Sequence, residues 1–73
     1  MAQKILNLKT SSNVKSAIWD DETMDLAVTF HSGHGGAYLR VPEEVALGLE
    51  RADSPGNYLH VYVKPEYTYS KTS

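Results

Sequence analysis

The apolar positions of this chain follow one period up to residue 41 and another after it. From Val14, "VKSAIW" is rich in β-prone side chains. In "MDLAVTF", Leu26, Val28 and Phe30 alternate with Asp25, Ala27 and Thr29. A period of two marks a strand with one buried face. Between these runs "DDET" (20–23) reads as a polar turn, in which Asp side chains accept from amides two residues on. "AYLRV" resumes the alternation; with Ala37, Leu39 and Val41 on the core face, Tyr38 and Arg40 are expected to project from the other. "HSGHGG" (31–36) separates the two, and its glycines admit positive φ. It is expected as the hairpin loop joining the second and third strands of an antiparallel meander.

Pro42 switches the period. Val45, Leu49 and Ala52 fall at i, i+4 and i+7, a helical stripe able to cover a sheet. Pro42 suits the first turn, where its missing N–H costs nothing. Glu43 and Glu44 suit the positive helix end, and Arg51 the negative one. In "DSPG" (53–56) Ser54 is an N-cap candidate and Pro55 a first-turn residue for a second helix. "NYLHVYVK" carries both signals, Tyr and Val for strand and Ser-Pro for helix. The flanking signals decide for a helix with Tyr58, Leu59, Tyr62 and Val63 inward. The expected fold is therefore α+β. A three-stranded antiparallel meander packs against one helix over about 42–52 and a second short helical segment over about 55–64. Residues 1–12 are expected as a flexible or loosely attached arm, 13–69 as a single domain and 70–73 as a tail. Tyr67 and Tyr69 are expected to staple back onto the sheet.

Composition narrows the function classes. A chain of 73 residues has room for one domain, and surface scaling puts about 60% of its surface out of water on folding. There is no cysteine, hence no disulfide or thiolate metal site, which suits a reducing cytoplasm. No apolar run reaches the ~20 residues of a membrane span, and the N-terminal apolar stretch is too short for a signal peptide. A cytoplasmic protein is expected. Net charge is −2, without the basic excess of a non-specific nucleic-acid binder, which favours a protein partner.

Candidate chemistry is sparse. His31 and His34 sit in the glycine-rich loop, and His60 is distant in sequence. A zinc site needs three or four convergent ligands, so the loop pair reads as solvated and no metal is expected. The glycine cluster precedes a strand rather than a helix and is not a phosphate loop. Asp20, Asp21 and Glu22 share a polar turn with no partner base, so no enzyme and no cofactor are expected. What remains is aromatic and cationic. Tyr38, Arg40, Arg51, Tyr58, His60 and Lys64 are the candidate partner-binding residues, since Tyr and Arg anchor interfaces and stack on unpaired bases. Trp19 is expected in the core.

The ordered motifs "IWDDETMDLAVTFHSG", "YLRVPEEV", "ADSPGNYLHVYVK" and "YTY" resemble the KTSC domain, over about Ser12 to Tyr69. That module takes its name from the C-terminus of some lysyl-tRNA synthetases and also occurs alone. The Val41-Pro42 pair and the run from Ala52 through Ser54 and Gly56 to Tyr58 carry the likeness. The family's Tyr-x-Tyr pair is half present: Tyr38 fits the second position and Gly36 stands at the first. This resemblance implies an RNA-binding module, with Tyr38 stacking and Arg40, Lys64 or Lys71 on phosphates. In size and general look the chain also resembles small phage-encoded regulators of bacterial RNA polymerase. That likeness implies a non-enzymatic transcription regulator, which inhibits or redirects the host polymerase by competing with a σ factor. This polymerase reading is the leading expectation, and RNA binding the alternative.

Overall fold

A computed structural model of the chain describes residues 3–9 and 13–71. Parts of the expected N-terminal arm (1, 2 and 10–12) and of the tail (72 and 73) lie outside them. The sheet has five strands rather than three: β1 (Gln3–Leu6), β2 (Val14–Asp20), β3 (Leu26–Phe30), β4 (Gly35–Tyr38) and β5 (Tyr69–Lys71). They lie in chain order, each antiparallel to the next. The central three are the expected meander. The two edge strands are only four and three residues long, so their pairing partners hold them in place rather than any alternation of their own.

The turns follow the local chemistry. Asp20 Oδ1 accepts from the Glu22 amide at 2.9 Å, closing the acidic turn after β2. Between β3 and β4 the Phe30 amide donates to the His34 carbonyl at 2.9 Å, and Gly33 supplies φ +94. Gly35 and Gly36 belong to β4 and not to the loop.

One sheet face carries Leu6, Ala17, Trp19, Leu26, Val28 and Tyr38, and the helices cover it. The opposite face is open. Across it Ile5, Ile18, Ala27, Ala37 and Ser70 stand in register, one from each strand, with Ile5 71% exposed.

Helix α1 (Glu43–Arg51) starts after Pro42, which holds φ −63 and ψ 152, with Glu43 and Glu44 in its first turn and Arg51 in its last. Its fully buried positions are Ala46 and Leu49, with Val45 packed beside them, so the stripe is turned slightly from the expected Val45–Leu49–Ala52 line. The Asn7 amide donates to Glu50 Oε2 at 2.8 Å and Lys9 Nζ to Asp53 at 2.7 Å, tying the segment after β1 to this helix and the residues after it. As expected, Trp19 is in the core. Its indole N–H donates to the Val41 carbonyl at 2.7 Å, fastening β2 to the entrance of α1.

The second helical segment begins as α2 (Pro55–Tyr58) and continues as a π-helical turn, Leu59–Val63, in which the Lys64 amide bonds back to Leu59 at 2.7 Å. Helix is thus the outcome for this ambiguous stretch. Leu59 and Val63 are buried and Tyr58 half-buried as expected. Tyr62 is not inward: the wider π turn swings it off the buried stripe, leaving it 60% exposed.

Candidate functional site

A cleft of about 380 Å³ lies between the sheet and the second helical segment. Three residue types build it. Val14, Phe30 and Leu59 supply its apolar surface. Tyr38 and Tyr69, directly paired across β4 and β5, supply an aromatic wall with ring centroids 4.8 Å apart and planes tilted by 50°. From the helical segment Gly56, His60 and Lys64, spaced four apart, contribute space and cationic or donor groups. None of the chain's nine carboxylates is among the described lining residues.

Tyr38 therefore does not project outward with Arg40. It is buried, 6% exposed, on the helix-covered face. The reason is a break in phase. The strand ends at Tyr38, and Arg40 takes a left-handed turn at φ +57, which resets the chain so that Tyr38 and Val41 are both buried although three residues apart. No continuous strand allows that. Burial, and secondarily the Tyr69 hydroxyl nearby, raises the Tyr38 pKa, so its phenol stays protonated.

The six expected contact residues divide. Tyr38, His60 and Lys64 meet in the cleft, and Arg40, Arg51 and Tyr58 do not. Arg40 and Arg51 are exposed elsewhere. Tyr58 is structural: its hydroxyl donates to the Val45 carbonyl at 3.0 Å, and its ring lies over Gly48, where an added Cβ would meet the ring at 2.9 Å. Burial raises its pKa as well, with Tyr62 and Tyr67 adding to the effect.

Tyr69, expected only as a staple, is the wall's exposed ring. Its hydroxyl sits over Gly36, so β5 provides an aromatic ring where β4 has glycine at the first position of the family's Tyr-x-Tyr pair. The period-two run Tyr67, Tyr69, Lys71 was the available signal. Lys71 follows Tyr69 on the same face of β5, paired with Gly36. Among the described residues no three His, Cys, Asp or Glu side chains converge as a metal site would require, and no helix is long and apolar enough to cross a membrane.

The KTSC domain model matches residues 10–67, more than half of the chain. The chain belongs to the KTSC family. The match takes in the helical wall of the cleft and Tyr38, and stops just short of Tyr69. Among relatives of the chain, lysine–tRNA ligases of Trichormus variabilis and a Nostoc strain are each 32% identical over 62 residues. That stretch is 85% of this chain but 11% of the ligase, so the chain spans about a tenth of those relatives' length. An uncharacterized protein of Stutzerimonas stutzeri is 39% identical over 57 residues, 78% of this chain and 80% of that one. The crystal structure of a KTSC domain protein from Yersinia pestis shares the fold with a TM-score of 0.86 at 24% identity, covering 99% of this chain and 100% of the other. The resemblance to phage regulators of RNA polymerase gains no support from the family model or the shared fold.

Proposed function

We propose that this KTSC chain is a non-enzymatic RNA-binding accessory module that grips unpaired RNA in the cleft. The observation that carries the proposal is the cleft itself: a tyrosine pair on the sheet facing His60 and Lys64 on the helix, without a lining carboxylate among the described residues. Unpaired bases stack on aromatic rings and phosphates pair with cations, so this is the combination single strands require. The net charge of −2 does not oppose the proposal locally, because the acidic residues gather in the turn after β2, on α1 and near the helix ends. The ligases similar to this chain over 62 residues carry tRNA in their name, which supports the same reading.

With Lys64 lining the cleft and Lys71 two residues beyond Tyr69 on the same face of β5, about two phosphates would be neutralised, so log K falls against log salt with a slope of roughly −1.4. Fluorescence anisotropy with a labelled single-stranded oligoribonucleotide checks this. Raising salt from 50 to 200 mM should weaken binding about sevenfold. No binding at the lower salt, or binding indifferent to salt, removes the proposal.

A further inference from the structure

We infer that the cleft accepts a single unpaired nucleotide, its base against Tyr69 and its phosphate at His60 and Lys64. The inference rests on the RNA-binding reading and narrows it to one base per domain.

Accessible aromatic surface sets the count. Tyr38 is buried behind Tyr69, and Phe30, the cleft's other aromatic, is packed against the core and partly covered, so the cleft's one exposed ring among the described residues is Tyr69, at 39%. Tyr62 is more exposed, but it packs on Tyr58 with centroids 5.0 Å apart and does not line the cleft. Sheet proteins that stack two or three bases do so with several rings on an open face. Here the row across the open face is Ile5, Ile18, Ala27, Ala37 and Ser70, with no ring on which a base could continue the stack. The volume agrees: about 380 Å³ is near the lower end of the ~300–1,000 Å³ of small-ligand sites, room for one base and its phosphate. His60 and Lys64 are four residues apart on the helical wall, and Gly56, four residues before His60, lines the same cleft. A base inside a duplex cannot reach such a site, because it must be splayed out to stack on a side chain.

The test uses the full chain with uridine 5′-monophosphate, uridine, inorganic phosphate and oligouridylates of two to eight residues, followed by anisotropy and NMR. The mononucleotide should bind with a Kd on the order of millimolar, shift the Tyr69, His60 and Lys64 resonances and displace the oligonucleotide. Uridine and phosphate, each supplying half the contacts, should leave those resonances in place at the same concentration. Affinity should rise only about fourfold from dimer to octamer, the ratio of equivalent positions. Tyr69→Ala should weaken the mononucleotide about tenfold or more, whereas Tyr62→Ala leaves it unchanged. Lys64→Gln, on an exposed side chain that the fold does not need, should weaken it several-fold with the sheet intact. An oligonucleotide that binds while the mononucleotide neither competes nor shifts these residues overturns the inference and leaves RNA binding standing. So does an octamer bound more than about thirtyfold tighter than the dimer, or phosphate alone reproducing the shifts. Failure of every oligonucleotide to bind removes the RNA reading itself.

Discussion

Replacing Trp19 by phenylalanine separates the indole's hydrogen bond from most of its packing. In the native chain the indole N–H reaches the carbonyl of Val41, a residue with no exposed surface, at 2.7 Å. Trp19→Phe keeps an aromatic ring in the core but strands that carbonyl, and a buried acceptor without its donor costs about 1–3 kcal/mol. Loss of the second ring removes apolar contact worth about 1 kcal/mol more. The total, roughly 2–4 kcal/mol, is a large part of the ~4–11 kcal/mol expected for a domain of this length. Tm should fall by about 8–32 °C, since each kcal/mol moves it by roughly 4–8 °C at this size. Urea unfolding followed by far-UV circular dichroism, with the m-value held common, gives the free energy directly. A loss under about 0.5 kcal/mol would show that the bond does not fasten β2 to the entrance of α1, and would refute the account of why this tryptophan is in the core.

Two further outcomes follow from the same packing. Gly36→Ala places a methyl group on the Tyr69 hydroxyl and 2.7 Å from the Ser70 carbonyl oxygen, so β5 has to shift. The Leu39 amide, which donates to the Thr68 carbonyl at 2.9 Å, should lose hydrogen-exchange protection, at a stability cost of about 1–3 kcal/mol; an unchanged β5 would contradict the close packing. Tyr38 and Tyr58 both have pKa values raised above the ordinary 10.0, chiefly by burial. A raised folded-state value means the neutral phenol is favoured, so their contribution is complete below about pH 10 and is lost as pH rises through the folded-state pKa values. Absorbance titration at 295 nm should show Tyr38 and Tyr58 ionising above the ordinary 10.0, with stability declining over that range; ionisation of both at the ordinary value would be the contrary result.

The central meander and both helices were legible because each has a local signal strong enough to stand alone. "MDLAVTF" alternates, the glycine loop reverses the chain, and Pro42 and Pro55 announce helices at the right places. The edge strands were not, because "QKIL" and "YSK" are too short to show a period of two. The misplacement of Tyr38 came from carrying one period through "AYLRV" when a left-handed arginine interrupts it, an event that nothing in an arginine announces. Of the nine described lining residues, Tyr38, His60 and Lys64 stand out by residue type alone. Tyr69, Phe30 and Gly56 line the cleft only because β5, β3 and the second helix meet from distant parts of the chain.

The order of the strands has a kinetic consequence. Each strand lies beside its neighbour in sequence, so the sheet can close like a zip from its central hairpins outward, and its margins are the last to lock and the first to loosen. β5 is three residues long and held from one side only, and it carries the accessible ring of the cleft. Peeling that strand back would take Tyr69 out of the cleft while leaving Leu26, Val28 and Leu49 packed, so the proposed RNA site would come apart without the domain unfolding.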